Sequence, residues 1–128
     1  MKAFKSQAWL PSRLQKGGFT LIVFPVRDLD SAKALYGQVL GVQPYAEGPY
    51  YVGFRVGDQE IGLDPNGHSK GRNGVVSYRQ VADINATLDS LRAAGTVVQE
   101  EVSRVGPTRQ IAIVKDADGN FIGLMQNG

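Results

Sequence analysis

The 128-residue chain contains no cysteine and one histidine, His68. Without thiols there are no disulfides, no thiolate zinc sites and no cysteine nucleophile. With a single imidazole and no nucleophile elbow beside it, no Ser-His-Asp arrangement can be nominated. No apolar run approaches the roughly 20 residues that span a bilayer. The one apolar cluster near the start, "AWL" at 8–10, is too short for the core of a signal peptide. The expectation is a cytoplasmic protein with no membrane partner. Acid is missing from one place in particular. Residues 1–18, "MKAFKSQAWLPSRLQKGG", hold Lys2, Lys5, Arg13 and Lys16 and no Asp or Glu, whereas the remainder holds 10 basic and 12 acidic residues. The formal charge of +2 therefore belongs to this basic arm. A nucleic-acid partner would need a clustered basic face with aromatic or helical readout, and none is present. The arm is expected to be a surface segment, or a short helix packed against a partner subunit.

What is there is ordinary in amount and unusual in order. With 42% hydrophobic and 20% charged residues, the chain is neither disordered nor fibrous, and its length suits one domain. Ile-Gly-Leu occurs at 61–63 and again at 122–124, and Val-x-Asp at 26–28 and 81–83. The two repeats, 61 and 55 residues apart, differ by an insertion that a loop absorbs. "FTLIVFPVRDLDSAKALYGQVLG" (19–41) and "GVVSYRQVADINATLDSLRAAG" (74–95) both run from an apolar strand through an Asp-initiated helical pattern to Gly. Asp28 or Asp30 caps the first helix, and Ala32, Leu35, Tyr36, Val39 and Leu40 form its apolar face before Gly41. Asp83 caps the second, Ile84, Leu88 and Leu91 face inward, and Gly95 closes it. "YYVGFRV" and "EIGL" flank the hairpin "GD", while "RQIAIV" and "FIGLM" flank "KDADGN". "DPNGHSKGRNG", 64–74, is a loop. The chain reads as an arm (1–18), a βαβββ module (19–63), an inter-module loop (64–73) and a second βαβββ module (74–128).

This order, with "VRDLDSAKALYGQVLG" and "DADGNFIGLMQ", resembles the vicinal oxygen chelate superfamily of glyoxalases, extradiol dioxygenases and bleomycin-resistance proteins. The resemblance covers about residues 18–127. It implies an α+β fold in which two tandem βαβββ modules form an incomplete eight-stranded barrel around a concave ligand cavity. Metal-dependent members carry a His or Gln on the first strand of each module and a Glu on the last. By register these positions hold Leu21, Gly62, Val76 and Gly123, which offer no donor to a cation. A slip of two residues presents Glu60 or Asp64 in place of Gly62, but no imidazole. The resemblance thus implies a member without a metal, and no cofactor is expected.

Gly at two paired positions removes volume from the cavity floor, leaving room for neighbouring side chains or a flat ligand. Strand alternation puts Val23, Tyr78 and Met125 on the side of Leu21, Gly62, Val76 and Gly123, and Tyr51, Gly53 and Arg55 opposite Glu60 and Gly62. Arg55 and Glu60 then form a cross-strand ion pair, either a solvated rim contact or a polar clamp. Tyr78 offers stacking area and one hydroxyl. Tyr45, Tyr50 and Phe54 are expected against helices or a subunit partner. Arg109 can reach an anionic or carbonyl group, as can Gln110. The candidate ligand-binding residues are Tyr51, Arg55, Glu60, Gly62, Tyr78, Arg109, Gly123 and Met125, and no catalytic residue is nominated. "GDQEIG" is a hairpin rather than a phosphate loop. Acid–base work by Glu60, Tyr78 or His68 has no sequence signature of perturbed ionisation. The leading expectation is a homodimeric binding protein for a small aromatic or conjugated molecule. The alternative is a glyoxalase-like lyase or isomerase, or a dioxygenase.

Overall fold

A computed structural model of the protein describes residues 17–128, so the arm up to residue 16 lies outside the described residues. The first module comprises β1 (Phe19–Pro25), α1 (Leu29–Leu40), β2 (Ala46–Gly48), β3 (Tyr51–Val56) and β4 (Gln59–Asp64). A single 3-10 turn (His68–Lys70) interrupts the connecting loop. The second module comprises β5 (Val76–Gln80), α2 (Ile84–Ala93), β6 (Val97–Val105), β7 (Arg109–Lys115) and β8 (Phe121–Asn127). All eight strands form one mixed sheet in the order β2-β3-β4-β1-β5-β8-β7-β6. Within each module the first strand runs parallel to the last, and β1 joins β5 antiparallel. The two modules therefore pair within one chain. With β2 and β6 left as edges, the barrel is incomplete.

Local chemistry sets the helix ends. The Asp28 carboxylate accepts from the Ser31 backbone N–H at 3.1 Å, and Asp83 does the same for Ala86 at 3.0 Å. Each satisfies one orphan donor of a first helical turn. Gly41 closes α1 at φ 72°, a left-handed conformation that a Cβ disfavours. Strand alternation then divides the apolar residues into three clusters. Leu21, Val23, Val76, Tyr78, Ile113 and Met125 belong to the inner, concave face. Val52, Phe54, Ile61 and Leu63 pack on the other side beneath α1, and Ala112, Val114 and Leu124 pack beneath Ile84 and Leu88 of α2. Fully burying a side chain such as Phe54 contributes about 1.5–3 kcal/mol, so each helix is fixed by a few such contacts.

One expectation about α1 is overturned. Its inward stripe is Leu29, Ala32, Tyr36 and Leu40, while Leu35 and Val39 are exposed. Gly37 lies on the inward side as well, 3.5 Å separating the place of a Cβ there from the ring of Phe54, an ordinary packing distance. The helix lays its glycine against Phe54, which is fully buried, and Leu35 and Val39 are turned outward. Phe54 itself packs against the helix as expected.

Candidate ligand cavity

The repeated glycines find their reason on the concave face. Gly53 and Gly62 are directly paired across β3 and β4. A Cβ on Gly53 would lie 2.9 Å from Cε1 of Tyr45, and one on Gly62 would lie 2.7 Å from Cε1 of Tyr51. Two glycines thus form a trough that two phenol rings fill. The second module makes the same exchange with another strand: a Cβ on Gly123 would stand 2.6 Å from Cε2 of Tyr78, its partner on β5. Neighbouring tyrosines, rather than an open floor, occupy the volume the glycines release. This corrects the reading of Gly62 and Gly123 as ligand contacts, since both lie beneath tyrosine rings.

The trough delivers both hydroxyls to one carboxylate. Tyr45 Oη donates a hydrogen bond to Glu60 Oε2, and Tyr51 Oη reaches the same oxygen at 3.4 Å. The other oxygen of Glu60, Oε1, faces Arg109 Nη2 at 3.7 Å, an ion pair too long to be a hydrogen bond. Burial, followed by the Glu60 carboxylate, pushes the Tyr45 hydroxyl up to about 12 from 10.0. Burial and then the charge of Glu60 raise Tyr51 as well. Both phenols remain protonated donors at neutral pH. Arg55 pairs with Glu60 in register, but its guanidinium stacks over the ring of Tyr45, 4.0 Å from the centroid. The expected Arg55–Glu60 ion pair is thus replaced by Arg109–Glu60, because Tyr45 lies between strand and guanidinium.

Above this face is a cavity of about 690 Å³. Its floor is apolar, formed by Leu21, Val23, Tyr78 and Ile111, and Tyr45, Tyr50, Tyr51 and Glu60 form one wall. The β6–β7 turn, 105–108, closes another side with Arg109 and Asn127. At the far end stand Asp64, Lys70 and Arg72. Arg72 is 7% exposed and grips Glu100 of β6 by two hydrogen bonds, Nε at 2.9 Å and Nη2 at 2.7 Å, with Asp64 Oδ2 at 3.4 Å from Nη1. Asp64 Oδ1 accepts from the Asn66 backbone N–H at 2.8 Å, and Lys70 Nζ lies 3.3 Å from Oδ2.

Of the sequence-nominated residues, Tyr51, Glu60, Tyr78 and Arg109 come together around this cavity. Met125 is buried in the inner cluster and Arg55 is exposed, so neither of them lines it. Tyr45 and Tyr50, assigned by sequence to helix or subunit contacts, do line it. Lys70 and Arg72 went unread because they fall in a Gly-rich loop, and Asp64 entered only as what a two-residue slip of register would present. The parity of β4 carried the signal for Asp64, which shares a face with Glu60 and Gly62. A second hollow of about 430 Å³ lies beside α1, where Lys33 and Glu47 are joined at 2.6 Å.

A mixed sheet of two βαβββ halves around a lined cavity defines a glyoxalase-fold protein. The chain belongs to the glyoxalase/bleomycin resistance protein/dioxygenase superfamily, whose family model matches residues 18–124. It is 36% identical over 121 residues to a probable lactoylglutathione lyase of Vibrio cholerae, covering 80% of this chain and 85% of that one. A methylmalonyl-CoA epimerase structure from Mycobacterium tuberculosis shares the fold at 21% identity and TM-score 0.65, covering 87% of this chain and 88% of that one. A superfamily member from Vibrio splendidus does so at 17% and 0.64, covering 84% and 97%. The metal implied by much of the superfamily does not fit the residues here. Leu21 and Val76 are buried hydrocarbon, and Gly62 and Gly123 lie beneath phenol rings. Among the described residues, no three His, Cys, Asp or Glu converge on a common point. Among the described residues, no helix is long and apolar enough to cross a membrane.

Proposed function

We propose that the protein binds a small aromatic or conjugated molecule in the 690 Å³ cavity and does so without a metal. The observation that carries this reading is the lining itself: an apolar floor beside a wall of Tyr45, Tyr50 and Tyr51, with no donor at the four register positions. Pockets for small organic ligands combine such apolar area with a few placed polar groups. Tyrosines supply flat contact surface at low conformational cost. Glu60 and Arg109 face each other across the polar end, which suits orientation of a ligand. A homodimer belongs to the same proposal, with the exposed Leu35 and Val39 of α1 as its motivation. Light scattering that returns the mass of one chain removes that part.

A ligand that binds only the folded state stabilises it by about 2.7 kcal/mol at a hundredfold excess over Kd. For a domain of this size the melting temperature should rise by several degrees. The test is a thermal-shift screen of planar aromatic and conjugated compounds, with mass spectrometry of the recovered ligand. Hits recovered intact support the reading. Turnover of a hit in chelator-treated protein moves the function to a metal-free enzyme, and an absence of hits across the screen removes the reading.

A further inference from the structure

The polar groups of the cavity differ in how fully they are engaged, and the difference has a sign. Both oxygens of Asp64 are taken, one by the Asn66 N–H and the other by Lys70 and Arg72. Glu60 Oε2 already accepts from two phenols, and Oε1 faces a guanidinium. The donors are less committed. Arg109 gives its Nε to Asn127 Oδ1 at 2.8 Å, but its Nη2 stops 3.7 Å short of Glu60. Lys70 makes one contact of 3.3 Å and its side chain is 49% exposed. The hydroxyl of Tyr78 makes no hydrogen bond among the described residues, although the residue is only 2% exposed and lines the cavity. The hydroxyl opens onto the cavity, where a ligand oxygen can accept from it.

We infer that the ligand carries a carboxylate, received by the hydroxyl of Tyr78 and the guanidinium of Arg109, so that the cavity selects aromatic or conjugated acids over the matching amines. This rests on the ligand-binding reading above. Both groups line the same cavity. Tyr78 rises from the central strand β5 as part of the floor, and Arg109 starts β7 at the side, where the 105–108 turn overhangs. Burial raises the phenol, opposed by the charges of Arg72 and Arg109 and helped by those of Glu100 and Asp64, so it keeps its proton and can donate. A carboxylate accepts from a hydroxyl and a guanidinium at once, and such charge-assisted bonds are the stronger kind. An ammonium has the opposite needs. The ring of Tyr45 already carries the Arg55 guanidinium, and with Arg72 paired to Glu100 and Asp64 held by Asn66 and Lys70, the lining charge left least engaged is the cationic Arg109.

The experiment uses matched probes on benzene, naphthalene and cinnamyl scaffolds: carboxylate, primary amide and aminomethyl forms, with affinities measured by calorimetry. The expected result is at least a tenfold preference for the carboxylate on the best scaffold. Tyr78→Phe, which keeps the ring over Gly123, should lower carboxylate affinity about tenfold and leave the amine unchanged. Arg109→Gln should act in the same direction without altering Tyr78. An amine or amide that binds as well as the acid overturns the inference while leaving the cavity as a binding site. Acid binding that survives both substitutions also overturns it, since the anion then sits elsewhere. If no probe of any charge binds, the ligand-binding reading falls and takes the inference with it.

Discussion

Tyr78 and Gly123 are partners across the β5–β8 ladder, and the ring of one occupies the volume that a side chain on the other would need. Tyr78 is 2% exposed and sits among Leu21, Val76, Ile111 and Met125, so its ring can shift only by giving up those contacts. Gly123→Ala should therefore destabilise the fold. Overpacking of this sort costs about 1–3 kcal/mol, offset by roughly 0.4–1 kcal/mol from the less flexible unfolded chain. Gly62→Ala should cost less, because Tyr51 is only half-buried and gives up fewer contacts when its ring moves. Denaturant midpoints give both values. A larger loss at 62 than at 123 would contradict the account.

The same pairs explain how much of the site was legible in the sequence. The duplication of Val-x-Asp and Ile-Gly-Leu carried the module order and the caps at Asp28 and Asp83, because those features depend on neighbours in the chain. Strand parity likewise carried the side on which Glu60 and Gly62 lie. What fills the space beside a glycine depends on residues that arrive from other strands. Tyr45 reaches Gly53 from before β2, and no local pattern announces it. Leu35 and Val39 fit a helical stripe as well as Leu29 did, and packing against Val52, Phe54, Ile61 and Leu63 from other strands decides between them. Arg72 was hidden in a loop whose composition reads as a linker, and its partner Glu100 is 28 residues away.

Metal content is the cheapest independent check. Protein purified without chelator should carry well under one equivalent of zinc, nickel, iron or manganese by elemental analysis, because the register positions hold Leu21, Gly62, Val76 and Gly123. Chelation should leave the melting temperature unchanged. A stoichiometric metal would require donors outside the register, and a chelator-sensitive melt would point the same way.

The tyrosines make an alkaline prediction. Tyr45 is raised to about 12 from 10.0, and Tyr51 and Tyr78 are raised too, each chiefly by burial. A phenol whose folded value exceeds its unfolded value stabilises the fold fully below the unfolded value. That contribution is lost as pH rises through the folded one. Stability should therefore hold up to about pH 10 and fall between pH 10 and 12, with tyrosinate absorbance lagging that of free tyrosine. Tyr45→Phe removes one contributor and should flatten the early part of the decline. Full phenolate absorbance at pH 10 in folded protein would show that Glu60 and burial do not hold these protons.

Arg72 supplies the last test, since it ties the inter-module loop to β6 at one end of the cavity. Its guanidinium holds Glu100 through two hydrogen bonds of 2.9 and 2.7 Å and meets Asp64 at 3.4 Å, and the residue is 7% exposed. Removing one member of a buried pair costs about 3–5 kcal/mol, because the remaining charge is left buried alone. Arg72→Met should fall near the lower end: Glu100 is 27% exposed and can rehydrate, and Lys70 remains beside Asp64. Glu100→Leu strands the arginine only in part, because Asp64 still faces it, so its cost should be smaller. If the pair acts as a unit, the double change Arg72→Met with Glu100→Leu should cost less than the two single changes added together. A coupling energy of about 0.5–3 kcal/mol is expected for residues in contact. Replacing such a pair by apolar residues of similar size is often neutral, but here recovery should stop short of wild type, since Asp64 loses a cation in either case. Urea denaturation of the four proteins measures the cycle. Strict additivity would mean that Arg72 and Glu100 act independently, and the loop would then be held by Asp64, Asn66 and Lys70 alone.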